Sequence, residues 1–395
     1  MIRSKDHNKK HIGIVLTSYP STSETFFLNK LKCLEELNFV VILFVDQKKD
    51  VGQIKSVNGF SWDGSVKNKI FQLTLALFRI MKNPVKTLIF YQKNYLSGYK
   101  YSANLVSILR SSHILKYKLD WLHFGFATNA IGRENLAKSI GAKMSTSIRG
   151  YDIAIYPKLN VGCYKLLWRK LNKLHYISDD LLAIAKREGF KIKISHKKIP
   201  PSIDTNFFSG HQKKKISKPL KIITNARLHW KKGYDYIFKA LSILKQENIP
   251  FEYTIVGSGD QYERLVYAAH QLKIYENISF KGEQSKETVK SLLLENDIFI
   301  LYSIQEGFSN AVLEAQSMGL LCIVSDAEGL NENVLDKVTG WIIPKLNPSL
   351  LAEKLTSLFS LSNNRVKQIS SNAITHVNDK HGLAHLKAGF KDFYK

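Results

Sequence analysis

The sequence contains a short apolar run, Asp297-Ile-Phe-Ile-Leu-Tyr302, that leads directly into Ser303-Ile-Gln-Glu-Gly-Phe-Ser-Asn-Ala-Val-Leu-Glu-Ala-Gln-Ser-Met-Gly319. The run is rich in β-branched and aromatic residues and predicts a buried strand. Behind it, apolar residues recur at helical spacing after Ser309. Ligands of open α/β sheets bind where such loops leave the carboxyl ends of strands. The segment therefore predicts a strand, a ligand-binding loop and a helix.

Two glutamates, Glu306 and Glu314, lie on either side of the predicted helix start. Backbone amides at a helix N-terminus lack intrahelical partners, so those of Ser309, Asn310 and Ala311 suit a phosphate group. A carboxylate would repel a phosphate but accepts two hydrogen bonds from sugar or ribose hydroxyls. Alone, a pair at this spacing is better explained as a solvated loop glutamate and a helix-surface glutamate, and the rest of the chain reverses that preference.

Size and composition predict two globular domains. The chain has 395 residues, of which 44% are hydrophobic and 23% charged, and this length exceeds one comfortable core. Its three scattered cysteines indicate neither a disulfide framework nor a zinc site, and they favour a reducing compartment. No signal peptide is visible, and the most apolar stretch, residues 70–81, is too short to cross a bilayer.

The charge of the chain, +25 overall, is unevenly distributed. Residues 1–200 hold 34 Lys/Arg against 13 Asp/Glu, whereas residues 251–350 hold 7 against 14. A basic half suits an anionic partner, either nucleic acid or a membrane surface, although a merely lysine-rich composition would look the same. Helices predicted at Val66–Met81 and Asn94–Arg110 mix apolar and basic residues. They are either core helices with outward lysines or a membrane-facing surface.

Strands and helices alternate in both halves, which predicts an α/β fold with parallel sheets. A first series begins at residue 11, and a second begins at Leu220 after a polar linker. We therefore expect an N-terminal domain at 1–210 and a C-terminal domain at 219–375. Residues 376–395 are expected to form a closing helix that packs back on the first domain.

The second series carries a candidate phosphate site. Arg227 and Lys232 follow its first strand, and Gly257-Ser-Gly259 follows its second. Arginine offers a planar fork to a diphosphate and lysine a point charge. The two glycines allow close backbone approach to a ligand, yet they equally suit a tight turn.

Together, Arg227…Lys232, Gly257-Ser-Gly259 and Glu306-x7-Glu314 resemble the nucleotide-sugar domain of retaining family-four glycosyltransferases of the GT-B fold. The resemblance covers nearly the whole chain and implies two Rossmann-like, doubly wound domains facing a central cleft. In the first half, four motifs resemble the exopolysaccharide-building branch of the colanic-acid type: Ser23-Glu-Thr-Phe26, His123-Phe-Gly125, Arg149-Gly-Tyr-Asp152 and Ile199-Pro-Pro-Ser-Ile-Asp204.

The resemblance also implies roles for single residues. Arg227 and Lys232 would neutralise the donor diphosphate, and Glu314 would hold the ribose hydroxyls. Glu306, as a catalytic residue, would meet the donor sugar. The remaining donor contacts would come from Gly257, Gly259, Phe308, Ser309, Asn310 and, beside the base, Lys281, and the acceptor side would include Ser23, Glu24 and Asp152. The family uses no metal or cofactor, and the sequence contains no Asp-x-Asp motif.

The chain departs from the family pattern at Arg149. Many relatives carry a histidine there that contacts the donor sugar near the reacting carbon. Arginine cannot act as a base, so Arg149 is expected to face phosphate or an anionic acceptor. His123 is the nearest motif histidine, for which a packed strand-end position competes with a catalytic one. A front-side mechanism, in which the leaving phosphate takes the acceptor proton, needs no base.

The resulting hypothesis is a retaining, metal-independent, hexosyltransferase-type enzyme. It would move a sugar from a nucleotide sugar to a growing, lipid-linked bacterial polysaccharide, such as lipopolysaccharide or capsule. It would work in the cytoplasm, attached peripherally to the anionic inner face of the cell membrane, without nucleic acid. Two alternatives stay open. A nucleotide-sugar epimerase of the same fold would need acid/base residues that the sequence does not support, and a non-catalytic partner subunit is favoured by Arg149 alone.

Overall fold

The computed structural model describes residues 9–20, 25–46, 56–62, 65–213 and 215–395. The chain divides into two compact units. Unit 1 comprises Met1–Ile199 together with Lys387–Lys395, and unit 2 comprises Pro200–Leu386. Two residues predicted for the acceptor side, Ser23 and Glu24, lie outside the described residues.

Unit 1 is built on a seven-stranded parallel sheet in the order β3-β2-β1-β4-β5-β6-β7. Its strands are β1 (His11–Leu16), β2 (Val40–Val45), β3 (Ser56–Asn58), β4 (Trp121–Phe124), β5 (Lys143–Ile148), β6 (Lys173–Tyr176) and β7 (Ser195–Lys198). Its helices are α1 (Thr25–Glu36), α2 (Val66–Met81), α3 (Pro84–Leu96), α4 (Tyr101–Ser111), α5 (Leu136–Ser139), α6 (Tyr151–Ala154), α7 (Tyr156–Leu159), α8 (Lys165–Lys170) and α9 (Asp179–Arg187).

The register of unit 1 places three loops at one edge of its sheet. Ile14 of β1 pairs with His123 of β4, and His123 pairs with Ser145 of β5. Because parallel strands in register end at the same edge, the loops after β1, β4 and β5 leave the sheet together. All residues of β1 after His11 are buried. Helix α1 contributes Phe27, Leu31 and Leu34 to the core of the unit.

The helical segment between β3 and β4 differs from the sequence prediction. The helix predicted at Asn94–Arg110 is wrong, because α3 ends at Leu96 and α4 begins at Tyr101. Gly98 lies between them with a φ of +87°, a backbone conformation that glycine adopts without strain. The predicted helix at Val66–Met81 is confirmed as α2, and the three helices pack on one another.

Unit 2 is built on a six-stranded parallel sheet in the order β10-β9-β8-β11-β12-β13. Its strands are β8 (Leu220–Asn225), β9 (Phe251–Val256), β10 (Ile278–Phe280), β11 (Ile298–Leu301), β12 (Leu321–Ser325) and β13 (Gly340–Ile343). Its helices are α10 (Tyr234–Gln246), α11 (Tyr262–Gln271), α12 (Lys286–Glu295), α13 (Asn310–Ser317), α14 (Leu330–Asn333), α15 (Pro348–Ser357) and α16 (Asn363–His381), and α17 (Leu383–Phe393) continues into unit 1.

The strand order of unit 2 reverses at β8. From β8 the chain builds outward to β9 and β10, and it then returns to add β11 on the other side of β8. Loops that leave the carboxyl ends of two such strands diverge and open a crevice, where doubly wound sheets bind ligands. Both units are therefore Rossmann-like, as the sequence predicts. Within the described parts of the chain, no helix combines the length and hydropathy needed to span a bilayer.

Candidate functional site

Backbone hydrogen bonds join the loops after β8 and β9, and two glycines allow these loops to lie close together. The Ala226 N–H donates to Val256 O at 3.0 Å, and the Leu228 N–H donates to Ser258 O at 2.9 Å. A Cβ atom at Gly257 would lie 2.2 Å from Ala226 O, and one at Gly259 would lie 2.2 Å from Leu228 O. These glycines therefore permit close approach of one loop to the next, and they fix the loop that carries Arg227.

Lys232 and Glu306 meet at the crevice between the loops after β8 and β11. The Lys232 ammonium donates to Glu306 Oε2, and Ser303 Oγ donates to the same oxygen at 3.3 Å. Only 12% of the Lys232 side chain and 16% of the Glu306 side chain is exposed. The Ile304 N–H, which donates to Lys231 O at 2.7 Å, joins the two loops. The structure thus brings together residues that lie 74 positions apart in the sequence.

The loop after β8 brings several cations to this crevice. Burial lowers the pKa of the Lys231 ammonium, and the charges of Lys232 and Arg227 lower it further, although Glu306 opposes the shift. Burial, followed by the charge of Lys231, likewise lowers the pKa of the His229 imidazole. Arg227 is exposed, and its guanidinium has no hydrogen-bond partner among the described residues. Three cations on one loop, two of them beside Glu306, form a site that suits the charge of a diphosphate.

Glu314 lies in α13 as a partly buried carboxylate. Burial raises the pKa of this carboxyl to about 7, and the charge of Lys286 lowers it only in part. No hydrogen bond to its oxygens is formed within the described residues. A desolvated carboxylate without donors gains most from ligand hydroxyls, because hydrogen bonds to the ionised form offset its lost hydration.

The start of α13 is already hydrogen-bonded in part. Ser309 Oγ accepts the Val312 N–H at 3.4 Å and caps the helix. The Ser309 N–H, which the sequence directs to a phosphate, instead donates to Asn333 Oδ1 at 2.9 Å. Phe308 is buried, and its ring centroid lies 5.4 Å from that of His381. Among the predicted helix-start donors, the Ala311 amide has no backbone acceptor in the described part of the chain.

Several residues at this edge escaped the sequence analysis. Glu328, from the loop after β12, accepts the Glu306 N–H through Oε2 at 2.9 Å. Lys345 donates to Ile304 O at 3.3 Å and lies 4.0 Å from Glu328 Oε1. The sequence contains a signal for Glu328, since it follows a predicted strand as Glu306 does.

Lys281, which the resemblance places beside the base, is exposed at the carboxyl end of β10. The next residue, Gly282, accepts the Gly257 N–H through its carbonyl oxygen at 2.7 Å.

In unit 1, Asp152 joins the loops after β4 and β5. Its Oδ2 accepts the Ala127 N–H at 3.1 Å, and its Oδ1 accepts the Arg149 and Gly150 N–H groups, each at 3.0 Å. Burial raises the pKa of this carboxyl, although these donors oppose the shift. Asp152 is only 2% exposed. The structure therefore favours a positioning role for Asp152 over direct acceptor contact, which stays a prediction.

His123 is fully buried in β4, with both ring nitrogens in hydrogen-bond contact. Nε2 lies 2.8 Å from Lys30 Nζ and 2.8 Å from Ser147 Oγ, whereas Nδ1 lies 2.8 Å from Ser145 Oγ and 2.9 Å from Tyr394 OH. Burial, and after it the charge of Lys30, lowers the pKa of the imidazole, which keeps the ring neutral. Without solvent access His123 fits a structural role, and its catalytic role stays a prediction.

Arg149 lies against the start of α1. Its guanidinium carbon is 3.5 Å from the ring centroid of Phe26 and 5.2 Å from that of Phe27. Phe26 follows closely on the segment with Ser23 and Glu24. Arg149 and Asp152 therefore both lie in the loops at the carboxyl edge of the sheet, whereas His123 is buried within it. No group of three or more His, Cys, Asp or Glu residues in the described ranges is placed to hold a metal ion.

One family model matches part of the chain. Residues 207–376 match the model of the family described as Glycosyl transferases group 1. This range contains Arg227, Lys232, Glu306 and Glu314, the residues on which the sequence resemblance rests. This part of the chain, which lies within unit 2, therefore resembles the group 1 glycosyltransferases.

Relatives of similar length point to the same branch. The chain is 26% identical over 385 residues to the putative colanic acid biosynthesis glycosyltransferase WcaL of Escherichia coli K12, covering 92% of this chain and 94% of WcaL. It is 27% identical over 371 residues to the amylovoran biosynthesis glycosyltransferase AmsK of Erwinia amylovora, covering 86% and 88%. The names of both relatives agree with the predicted resemblance to the exopolysaccharide branch.

A solved structure confirms the fold. The crystal structure of Anabaena Alr3699/HepE in complex with UDP-glucose superposes with a TM-score of 0.70, at 14% identity, over 97% of this chain and 98% of the other. At this identity the likeness supports the GT-B fold and leaves the ligand of this chain to be argued from its own residues.

Proposed function

We propose that this chain, part of which resembles the group 1 glycosyltransferases, is a retaining glycosyltransferase of exopolysaccharide synthesis. It moves a hexosyl group from a nucleotide sugar to a growing, lipid-linked cell-surface polysaccharide. The observation that carries the proposal is the crevice of unit 2, where the loop that holds Arg227, Lys231 and Lys232 meets Glu306. A group of cations at the switch point of a doubly wound sheet suits the diphosphate of a nucleotide sugar.

Each donor group has a matching contact in unit 2. Arg227 and Lys232 bind the diphosphate, and Glu314 accepts hydrogen bonds from the ribose hydroxyls. The arriving diphosphate competes with Glu306 for the Lys232 ammonium, which now holds Glu306 Oε2. The freed Glu306 carboxylate then accepts hydrogen bonds from the donor sugar. The names of the relatives and the UDP-glucose complex of the structural neighbour support this use of the site.

The transfer needs no side-chain base. The acceptor hydroxyl oxygen forms its bond to the anomeric carbon on the face from which the diphosphate leaves. The bond between that carbon and the phosphate oxygen breaks, and the hydroxyl proton passes to the departing phosphate oxygen. Arg227 and Lys232 stabilise the negative charge that develops on the leaving group, where preorganised cations lower the barrier most. Neither a metal nor a cofactor takes part.

A lipid-linked acceptor would place the enzyme at the inner face of the cell membrane. Residues 1–200 carry 34 Lys/Arg against 13 Asp/Glu, and anionic lipids attract each nearby cation by about 1 kcal/mol. The proposed attachment is peripheral and occurs on the cytoplasmic side. Nucleic acid is not a partner in this proposal.

A donor screen tests the proposal. The purified protein is incubated with a panel of nucleotide sugars, with and without membrane extract and with EDTA, and release of nucleoside diphosphate is measured. Glu306→Ala serves as the inactive control. We expect release with one donor, dependent on the extract and unaffected by EDTA. Absence of release from every donor, together with no calorimetric binding of any nucleoside diphosphate, would overturn the proposal. A product with inverted anomeric configuration by NMR would overturn the retaining mechanism alone.

A further inference from the structure

Helix α2 of unit 1 exposes most of its large apolar side chains instead of burying them in the core. Of its sixteen residues, Ala76 is the only one fully buried. Large apolar side chains are instead exposed, with Phe71 at 62% and Met81 at 69%. At about 100° per residue, the exposed apolar positions fall within an arc of about 140° on one face of the helix. They are Val66, Ile70, Phe71, Leu77, Phe78 and Met81.

The two helices that pack beside α2 continue this pattern. Helix α3 exposes Val85, Leu88, Tyr95 and Leu96, the last at 83%, and α4 exposes Tyr101, Leu105 and Val106. Soluble proteins expose single apolar residues commonly, but apolar exposure repeated over neighbouring helices marks an interaction surface. We call these exposed apolar residues of α2, α3 and α4 the outer helical face.

The inner sides of α3 and α4 contain a polar network beside the buried Phe90 and Ile108. Asn94 and Asn104 are fully buried, and the Asn94 side-chain amide donates to Asn104 Oδ1 at 3.0 Å. Asn135 donates to Asn94 Oδ1 at 3.0 Å, and the buried Ser107 hydroxyl donates to Gly132 O. Polar groups bonded inside and apolar groups outside are the arrangement that a hydrocarbon environment requires of packed helices.

The charges around the outer helical face have one sign. Residues 65–119 contain ten Lys/Arg and no Asp/Glu. Lys82 lies with its ammonium 4.3 Å from the ring centroid of Phe78, so its stem covers the apolar ring while its charge extends beyond. Two copies of such a face would bring like charges together in a symmetric contact, which disfavours self-association. An anionic surface with an apolar interior is complementary in both respects.

From these observations we infer that the outer helical face inserts into an anionic phospholipid bilayer, with its apolar side chains below the headgroups and its lysines on the phosphates. The inference deepens the proposed function, because it places the lipid-linked acceptor beside unit 1, and it rests on that function only for the acceptor. Attachment combines apolar insertion with electrostatic attraction and so does not depend on charge alone.

Vesicle flotation of the full chain, without donor or acceptor, tests the inference. Vesicles contain phosphatidylglycerol with phosphatidylcholine, or phosphatidylcholine only. We expect flotation with the anionic vesicles. At about 1 M salt, where the screening length falls to about 3 Å, binding should weaken without vanishing, because the apolar part is unscreened. Complete loss of binding at that salt concentration would overturn the insertion. Calorimetric titration with nucleoside diphosphate, run in parallel, reports separately on the proposed function.

Substitutions separate the two contributions. The variant Ile70→Ser/Phe71→Ser/Phe78→Ser/Met81→Ser should lose at least about tenfold in vesicle partitioning at both salt concentrations, since each change removes exposed apolar area. Lys67→Gln/Lys69→Gln/Lys82→Gln should weaken binding at low salt only. The matched control, Leu159→Ser/Val161→Ser/Ile192→Ser, removes equally exposed apolar side chains of unit 1 away from these helices and should bind as the unsubstituted chain does.

Two further outcomes would overturn the inference. One is equal flotation of the four-serine variant and the unsubstituted chain. The other is absence of flotation with the anionic vesicles, and a dimer in sedimentation velocity that the four-serine variant abolishes would then assign the face to a second copy. Circular dichroism and nucleotide binding check that the variant is folded. Finally, Phe78→Trp should show quenching by brominated lipid beyond that of the native tryptophans, which places the side chain in the bilayer.

Discussion

The polar side chains near the carboxyl edges of the two parallel sheets differ in their hydrogen bonding. Those of unit 1 find partners within the protein, whereas two of those in unit 2 find none in the described part of the chain. In unit 1, Asp152 accepts three backbone N–H groups, and both ring nitrogens of His123 are in hydrogen-bond contact. In unit 2, the described residues offer no hydrogen-bond partner to the Arg227 guanidinium or to the Glu314 carboxylate. Buried polar groups are normally paired, so the desolvated Glu314 carboxylate points to a ligand, whereas the exposed Arg227 guanidinium is accessible to one.

This difference separates two kinds of residue on one architecture. Satisfied polar groups position loops, and their removal should lower the free energy of unfolding. Polar groups without a partner in the protein are available to a ligand. Their removal should change ligand binding or turnover while the fold persists. Glu306 combines both properties, because its carboxylate is held by Lys232 and Ser303 and yet lies in the crevice.

Replacement of Glu306 offers the strongest test of this separation. We expect Glu306→Ala to lower transfer by about 100-fold or more, which is the size of losing one preorganised electrostatic group. The thermal midpoint should change little. Transfer is measured as nucleoside diphosphate release with the donor found in the screen. Glu263→Ala, at an exposed glutamate of α11, is the matched control. Unchanged turnover would remove Glu306 from the site.

Replacement of Asp152 should act on stability instead. Asp152→Ala leaves three backbone N–H groups without their acceptor, and we expect a loss of about 3 kcal/mol or more in the free energy of unfolding. Nucleoside diphosphate affinity of the folded fraction should be unchanged. Urea unfolding measures the first quantity and calorimetry the second, with the exposed Asp180→Ala as control. A stable Asp152→Ala protein with lost transfer would instead support the predicted acceptor contact and break the comparison.

Two of the crevice cations, Arg227 and Lys232, should bind the phosphates of the donor. Either Arg227→Ala or Lys232→Ala should weaken nucleoside diphosphate binding by about tenfold or more, as expected for a hydrogen bond to a charged group. Binding of the nucleoside alone should hardly change. Calorimetry with both ligands distinguishes them, and Lys239→Ala, at an exposed lysine of α10, is the control. Equal losses for both ligands would show that neither residue contacts phosphate.

The pH dependence of donor binding should report on Glu314. Its pKa of about 7 means that the free carboxyl is largely protonated at lower pH, whereas ribose hydroxyls favour the ionised form. Affinity for a nucleotide sugar should therefore rise by up to about tenfold between about pH 6 and about pH 8. Glu314→Gln should abolish this rise. A rise that persists in the variant would assign it to another group.

The same shift has a consequence for stability with a defined sign. The ordinary pKa is 4.5, so between that value and about 7 the folded chain keeps a proton that the unfolded chain has lost. This group's contribution to the free energy of unfolding is therefore full below the lower value and declines as pH rises to the higher one. Glu314→Gln should flatten that decline in thermal melts, and an unchanged slope would contradict the assignment.

The sequence predicted the crevice of unit 2 well, because its signals are local. Strands β8 and β11 are short apolar runs, each followed at once by polar residues, and parallel strands bring such loops to one edge. The meeting of Lys232 with Glu306 follows from that rule. The glycines of Gly257-Ser-Gly259 were also recognised, although only the structure shows that they face the neighbouring loop.

Other features depend on tertiary partners that no local pattern contains. Asp152 and Arg149 belong to one motif, yet one lies buried beneath two loops and the other stacks on Phe26. Burial of His123 depends partly on Tyr394, which is 271 positions away. The break between α3 and α4, by contrast, has a local signal in Gly98, whose φ is +87°. The contact of Asn94 with Asn104, which joins the two helices, is visible only in the structure.

The nearly coreless packing of α2 should set how fast its backbone exchanges hydrogen for deuterium. Local opening needs the least free energy where few apolar groups are buried, and α2 buries Ala76 alone whereas α10 buries seven residues. In buffer, the amides of α2 should therefore exchange well before those of α10. A surface that binds only the closed helix would slow this exchange in proportion to its occupancy. Mass spectrometry of peptides from residues 66–81 would then report the fraction of the protein that is bound to the surface.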